Sequence, residues 1–356
     1  MTDCKPSPES ADLVDGAASR QQARGRLDIL DDLRALAMSL VVAYHLLFLV
    51  FGQLPHVYGG LGVLADTGTA LFVLLAGFLC QYHSAKFQFL PFLRKKMLTV
   101  VCPYAIATLL LMLMRLTRGG GCQPLAFIRD LLFCVLTGRG SAQLWFVPML
   151  MIFFLLTPLT LWLMRRRWHH VVIALCFALS LVIGRAGHLQ TLHNTLYFLP
   201  FYLLGMAGAL DHKRCLAWLR RRRLVLAGLS TALFFIACAL PSEAHIQTLC
   251  RLVFSLTFIG MLAPDEAAET EADLARKLVL KISATSFGIY LYHNSFIALI
   301  VAPIFRRYVE GLPELAVLAV LLVTTVATVL LMTAGVVAAQ AVLKKLGVKN
   351  TRWLIA

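Results

Sequence analysis

Residues 27–50 read LDILDDLRALAMSLVVAYHLLFLV, an apolar run of membrane-spanning length that contains one arginine and one histidine. Arg34 and His45 are eleven residues apart in this run. At 100° per residue, their side chains leave the helix within about 20° of the same direction and about 16 Å apart along the axis. Because ionisable residues within membrane spans are rare and usually functional, the pair is a candidate site.

The composition is that of an integral membrane protein. Hydrophobic residues make up 60% of the 356 residues and charged residues 14%, against about 25% charged residues in a typical soluble domain. Residues 1–26 are polar, so we expect no cleavable signal sequence before the first span. The nine cysteines are scattered singly, which favours packing roles over a metal site or a disulfide framework.

Ten apolar stretches are long enough, or nearly so, to cross about 30 Å of hydrocarbon. They cover residues 33–52, 60–82, 98–115, 143–164, 169–184, 193–210, 223–241, 246–263, 279–302 and 313–341. The predicted fold class is therefore an all-α membrane protein with about ten transmembrane helices in one bundle. This transmembrane domain covers residues 27–343, between a polar N-terminal tail (1–26) and a basic C-terminal tail (344–356).

The distribution of basic residues predicts the orientation of the bundle. If the chain starts inside, the loops on the cytoplasmic side contain 24 of the 33 lysines and arginines, and the opposite loops contain seven. The positive-inside rule then places both termini in the cytoplasm. The net charge of +15 follows from topology, so we do not expect nucleic acid as a partner. The chain shows no convincing internal repeat of the kind common in transporters.

Few other ionisable residues lie in the predicted spans. Asp31 can pair with Arg34, which would make that arginine a structural residue at the interface. His293, in the ninth span, lies at a depth similar to that of His45, so the two imidazoles could face each other across a cavity. Asp66, in the second span, could orient an imidazole or bind a hydroxyl-rich acceptor, or could simply be solvated.

An imidazole near the middle of a membrane suits two kinds of function. Histidine changes its charge near neutral pH, so His45 can take a proton from a hydroxyl as a general base. The same property would let His45 relay protons in a transporter, and a structural histidine bonded to a carbonyl is the third alternative. Arg251, in the eighth span, is expected to extend its guanidinium to the outer face.

Four blocks of the sequence together resemble the acyltransferase family 3 membrane proteins. The first block, RLDILDDLRALAMSLVVAYH (26–45), is similar to the family's Leu-Asp-x-Leu-Arg-Ala-x-Ala run and keeps its spacing from arginine to histidine. The others follow in the expected order: GTALFVLLAGFL (68–79), QLWFVPML (143–150) and SFGIYLYH (286–293). The resemblance extends to about residue 340 and implies ten helices with both termini inside.

The activity that this resemblance implies is O-acyl transfer at a bacterial inner membrane. The acyl group, most often acetyl, would come from cytoplasmic acetyl-CoA or another acyl-CoA, used as a co-substrate. The acceptor would be a hydroxyl of a cell-surface glycan or lipid-linked sugar, and membrane lipid would surround the protein. No metal and no permanently bound cofactor is expected.

The resemblance also implies roles for particular residues. Arg34, with Asp31 beside it, would bind the CoA donor at the cytoplasmic end. His45 would deprotonate the acceptor hydroxyl or carry the acyl group transiently itself. Asp66 and His293 are the other candidate catalytic residues. The candidate residues lining the acceptor cavity are Gln143, Trp145 and Tyr290.

The second and third blocks depart from the family pattern. Ala70 stands where many members have an acid, Ala76 replaces the usual serine, and Gln143 replaces the histidine before Leu-Trp-Phe. Asp66 lies four residues before Ala70, within about 40° around the helix, and could replace the acid. Two other functions therefore stay open: a transporter or flippase of lipid-linked glycan intermediates, and a non-catalytic partner of a polysaccharide synthase.

Overall fold

The computed structural model describes residues 8–50, 58–116, 124–187, 190–264, 274–309, 312–348, 351 and 354. Within these residues the regular structure is entirely helical, which confirms the predicted all-α class for the described part of the chain. Parts of both predicted tails, residues 1–7, 349–350, 352–353 and 355–356, lie outside the described residues.

The described residues form fifteen α-helices. In chain order they are α1 (Pro8–Leu49), α2 (Tyr58–Tyr82), α3 (Phe89–Lys96), α4 (Cys102–Leu116), α5 (Pro124–Thr137), α6 (Phe146–Leu155), α7 (Thr157–Met164), α8 (His169–Ile183), α9 (Thr191–Leu210), α10 (His212–Arg221), α11 (Arg223–Ala239), α12 (Ala244–Leu262), α13 (Leu274–Phe296), α14 (Ala302–Val309) and α15 (Glu314–Lys345). Two π-helical turns, Met97–Val101 and Ile297–Val301, join α3 to α4 and α13 to α14. A short 3-10 turn, Ser84–Lys86, precedes α3.

Six helical segments among the described residues are long and apolar enough to cross a membrane. They are Asp28–Leu49, Gly59–Tyr82, Phe89–Met114, Ala244–Leu262, Leu274–Val309 and Leu315–Lys345. Two further pairs of helices qualify only if each bent pair counts as one span: α6 with α7, bent by 59°, and α10 with α11, bent by 67°. The chain is therefore a multi-pass membrane protein.

The two remaining predicted spans fall on helices of a different kind. Residues 169–184 coincide with α8, which has only 15 residues. Residues 193–210 coincide with α9, whose 20 residues include the buried polar side chains Asn194 and Thr195 as well as Pro200. A helix surrounded by other helices tolerates such residues, because it does not face lipid. The total of ten spans and the cytoplasmic position of the termini stay predictions.

The aromatic side chains of α9 form the centre of the core. Tyr197, Phe198, Phe201 and Tyr202 are almost completely buried. Phe198 stacks against Trp145, with ring centroids 6.1 Å apart. Aromatic side chains of this size bury large apolar areas, so α9 provides the surface on which the surrounding helices pack.

α2 and α9 approach each other most closely at two glycines. A Cβ atom on Gly77 would lie 2.0 Å from the carbonyl oxygen of Tyr202, and one on Gly205 would lie 2.0 Å from that of Leu74. Small residues permit this backbone-to-backbone contact, which favours the association of membrane helices. The contact fixes the position of α2 against the centre of the bundle.

We expect Gly205→Ala to lower the free energy of unfolding by about 1–3 kcal/mol, because the added methyl group forces two helix backbones apart. Thermal unfolding of the purified protein in detergent measures this effect. The matched control is Gly228→Ala in α11, where a Cβ would meet nothing within 4 Å. The control should be neutral or slightly stabilising, since alanine has the higher helix propensity. Equal stability of the two variants would contradict the close packing.

Candidate active site

His45 lines a cavity of about 590 Å³, which we call the His45 cavity. Its walls come from α1, α2, the segment before α6, the loop after α8, α12 and α13. Four other residues predicted from the sequence line the same cavity: Asp66, Gln143, Trp145 and Tyr290. The volume is within the range of about 300–1,000 Å³ typical of pockets for small ligands.

His45 and His293 are in direct contact, with ring centroids 4.8 Å apart. His293 is completely buried, and its Nδ1 lies 2.9 Å from the carbonyl oxygen of Tyr290. Because a carbonyl oxygen only accepts, Nδ1 is assigned the hydrogen and Nε2 the lone pair. No described residue donates a hydrogen bond to that Nε2. A second imidazole with a proton-accepting nitrogen therefore lies against His45.

Hydrogen bonds between the segment before α6 and α13 hold one wall of the cavity. The side-chain amide of Gln143 donates to the carbonyl oxygen of Leu291 at 3.0 Å. The Tyr290 hydroxyl donates in the opposite direction, to the carbonyl oxygen of Gln143. Ser141 Oγ donates to Gln143 Oε1 at 2.6 Å. The Gln143 side chain is thus held as part of the wall.

Asp66 forms a buried ion-pair cluster with two arginines. Its Oδ2 accepts from Nε of Arg251 at 2.7 Å and lies 2.7 Å from NH2 of the same guanidinium. Its Oδ1 pairs with NH1 of Arg185. Asp66 is only 2% exposed and Arg251 only 4%, so neither side chain reaches solvent. The expectation that Arg251 extends to the outer face is corrected, because a carboxylate within the bundle binds it.

Two further hydrogen bonds hold the guanidinium of Arg251. Its NH1 donates to the Tyr197 hydroxyl at 2.9 Å, and its NH2 donates to Gln247 Oε1 at 3.3 Å. Tyr197 Oη in turn lies 3.1 Å from Thr248 Oγ1. These contacts join α2, α9 and α12 at the buried guanidinium of Arg251. Its Nε, NH1 and NH2 each donate a hydrogen bond.

Arg185 reaches the His45 cavity from the loop that follows α8. Gly184, at φ +62°, turns the chain at the end of the helix in a conformation that favours glycine. Asn194 then fixes the loop: its Oδ1 accepts from the Ala186 N–H at 3.2 Å, and its Nδ2 donates to the Gly187 carbonyl at 3.1 Å. The loop therefore presents Arg185 from a position that is set by these two partly buried hydrogen bonds.

Arg34 lines a second cavity of about 700 Å³, which we call the Arg34 cavity. Its lining also includes four other basic side chains: His83, Lys86, Lys95 and Lys96. A concentration of cations in one cavity suits a polyanionic ligand. Among the described residues, no group of three or more His, Cys, Asp or Glu side chains could hold a metal ion.

Asp31 holds Arg34, and three aspartates at the beginning of the first span connect α1 to α13. Arg34 NH1 donates to Asp31 Oδ1 at 3.0 Å, and the same oxygen accepts from Ser283 Oγ at 2.7 Å. The two other aspartates, Asp28 and Asp32, both pair with Arg276. α1 and α13 are thus joined at one end by these bonds and at the other by the two histidines. Asp31 supports Arg34 and does not itself line the Arg34 cavity.

Three aromatic side chains line both cavities: Phe72, Phe146 and Tyr290. The ring centroids of Phe72 and Phe146 are 6.4 Å apart, and those of Phe146 and Tyr290 are 5.7 Å apart. We call these three residues the aromatic partition. α1 contributes Arg34 to the lining of one cavity and His45 to the lining of the other, and the partition is common to both.

Sequence reasoning missed Arg185 and Arg276 as site residues. In the sequence, Arg185 is one of the seven basic residues of the loops predicted to lie outside. Its partner Asp66 is more than one hundred residues away in the chain. One signal was present: few cations occur in the loops predicted to lie outside, so an arginine between Gly184 and Gly187 is unusual there. Arg276 gave no such signal, because basic residues are common in the loops predicted to be cytoplasmic.

The family model of the acyltransferase domain matches residues 27–334, nearly the whole chain. The chain belongs to acyltransferase family 3. This confirms the resemblance seen in the four sequence blocks, and it indicates a multi-pass membrane acyltransferase. Comparison with curated proteins gave no match, and neither did comparison with solved structures.

We expect Asp66→Asn to destabilise this acyltransferase family 3 member by about 3–5 kcal/mol, because it leaves the buried Arg251 and the partly buried Arg185 without their carboxylate. Thermal unfolding in detergent measures the loss. Adding Arg251→Gln to Asp66→Asn should restore part of the stability. The effects of substitutions within one ion-pair network on the free energy of unfolding are not additive. The control is Asp130→Asn, which removes a pair with Arg129 at the surface and should change stability by less than about 1 kcal/mol. A stable Asp66→Asn protein would contradict the structural role of the cluster.

Proposed function

We propose that the protein transfers an acyl group, most simply acetyl, from cytoplasmic acyl-CoA to a hydroxyl of a glycan or lipid-linked sugar. The observation that carries this proposal is the pair of cavities that meet at the aromatic partition, one basic and the other containing His45. A reaction between two substrates that arrive from opposite sides of a membrane needs such an arrangement. The family membership supports the acyltransferase activity itself.

The Arg34 cavity is the proposed donor site. Coenzyme A is a polyanion that cannot enter lipid, and Arg34, Lys86, Lys95 and Lys96 would bind its phosphates. With the predicted orientation, this cavity opens to the cytoplasm, where acyl-CoA is made. The apolar part of its lining, including Leu75 and Leu150, suits the thin pantetheine arm.

The His45 cavity is the proposed acceptor site. The acceptor oxygen attacks the thioester carbonyl carbon while His45 takes the hydroxyl proton. The tetrahedral intermediate then collapses, the C–S bond breaks, and the CoA thiolate receives the proton from His45. His293 contacts the ring of His45 and would keep it in position during both transfers. An ester and free CoA are the products.

The aromatic partition favours a short acyl group. The thioester must meet the acceptor at the three rings of the partition, which are those of Phe72, Phe146 and Tyr290. The hydroxyl of Tyr290 donates a hydrogen bond to the backbone carbonyl of Gln143. A small acetyl group would pass these rings with limited movement, whereas a long acyl chain would have to displace them. This is the reason for proposing acetyl-CoA as the donor.

We expect His45→Ala to reduce ester formation at least about 100-fold, because the general base is lost. Mass spectrometry of surface glycan from cells that carry the variant measures the ester. The glycan itself should still reach the surface. His170→Ala is the control, since His170 is exposed at the start of α8.

Two outcomes of this experiment would reject the proposal. Unchanged ester in the His45→Ala cells would remove His45 from catalysis. Glycan that stays on the inner side in a deletion strain would instead support a transporter or flippase of glycan intermediates.

We expect Arg34→Gln to weaken CoA binding about 10- to 100-fold, which corresponds to the loss of charge-assisted hydrogen bonds to phosphate. Isothermal titration calorimetry of CoA against protein in nanodiscs measures the affinity. The control is Arg214→Gln, because Arg214 is a highly exposed arginine of the basic helix α10. If both variants bind CoA as the native protein does, Arg34 does not belong to the donor site.

A further inference from the structure

The His45 cavity holds one more positive charge than negative charge in its ion-pair cluster. The cluster consists of one carboxylate, Asp66, and two guanidinium groups, Arg185 and Arg251. A surplus charge inside a membrane protein is costly unless a partner of opposite sign balances it. The net positive charge of the cluster therefore favours the binding of an anion in this cavity.

The surplus charge belongs to Arg185. Arg251 is the more deeply buried of the two, and Asp66, Tyr197 and Gln247 occupy its donors. Arg185 touches the carboxylate through NH1, while its Nε has no hydrogen-bond partner among the described residues. That Nε has almost no exposed surface, so the accessible part of Arg185 is the rest of its side chain, which is 17% exposed and lines the cavity. A guanidinium on a cavity wall can bind an oxyanion through charge-assisted hydrogen bonds.

The surroundings of Arg185 hold its guanidinium in place. Its Cζ lies 5.3 Å from the ring centroid of Trp145 and 5.9 Å from that of Tyr44. Together with the hydrogen-bonded loop 184–187, these rings restrict the arginine before any ligand binds. A preorganised guanidinium loses little conformational entropy when it binds an oxyanion.

We propose that Arg185 binds an acidic group of the acceptor, so that the substrate is an acidic sugar or a sugar phosphate. This inference rests on the proposed function, because it assigns the acceptor to the His45 cavity. The shared chemistry is an oxyanion on a sugar. It could be a carboxylate of the sugar itself or the phosphate that joins a sugar to its carrier.

The distance from Arg185 to His45 suits such a substrate. The Tyr44 ring centroid lies 5.9 Å from Arg185 Cζ and 5.5 Å from the His45 ring centroid, so Arg185 Cζ and the His45 ring centroid are at most about 11.4 Å apart. A sugar whose acid is bound by Arg185 would thus place one of its hydroxyls, or one of the next sugar unit, near His45. Thr69 and Asn294 also line the cavity and can bond other hydroxyls.

The first test uses the native full-length protein in phosphatidylcholine nanodiscs at fixed ionic strength. Binding of four probes is measured by titration calorimetry: glucuronate, its neutral counterpart glucuronamide, glucose 1-phosphate and glucose. We expect at least one acidic probe to bind ten or more times tighter than its neutral counterpart. Preference for glucuronate would identify an acid on the sugar, and preference for glucose 1-phosphate would identify the carrier linkage. Equal binding of acidic and neutral probes would overturn the proposal without any variant.

The second test compares Arg185→Gln with Arg139→Gln. Arg139 is an exposed arginine that contacts Phe133 and does not line the His45 cavity. Arg185→Gln should abolish the preference for the acidic probe, and Arg139→Gln should keep it. A preference that persists in Arg185→Gln would overturn the assignment to this residue.

These tests separate the inference from the proposed function, because they measure binding without acyl transfer. If acidic probes bind through Arg185 but His45→Ala cells still make ester, the acceptor site stands and the catalytic proposal fails. If His45→Ala abolishes the ester but acidic and neutral probes bind equally, the acyltransferase proposal stands and the acidic acceptor is rejected.

Discussion

The buried carboxylate of Asp66 is the constraint around which this bundle is organised. In a low-dielectric interior a charge must be paired, and Asp66 finds its partners on α12 and on the loop after α8. Three parts of the chain that are distant in sequence therefore meet at one point. The close contact of α2 with α9 at Gly77 and Gly205 holds the helix that carries Asp66. The His45 cavity lies beside this ion-pair cluster, and Asp66, Arg185 and Arg251 all line it.

Much of the architecture could be predicted from the sequence, because membrane helices follow from hydrophobic length alone. The helical period was enough to place Arg34 and His45 on one face of α1. The four family blocks were also recognisable, and the family match confirms them. These features share one property: each is local, so residues near each other in the chain determine it.

The pairing of charges could not be predicted in the same way. The sequence predicts that Asp66 orients an imidazole, binds a hydroxyl-rich acceptor or is solvated, and the structure pairs it with two arginines from other parts of the chain. Arg276 likewise joins α13 to the aspartates of α1 across a long interval of sequence. Hydropathy marks where helices lie but not how they are rotated against their neighbours. Only the packed bundle reveals which partner a buried charge has.

The aromatic partition has a consequence for the energy balance of the membrane. Two cavities reach into the bundle, and among the described residues only Phe72, Phe146 and Tyr290 line both of them. A short apolar constriction of this kind excludes water and so resists the passage of ions. With the proposed orientation, these rings would keep the two cavities from joining into a continuous water-filled path across the membrane. The rings that we propose to limit the size of the acyl group would then also act as a barrier to ions.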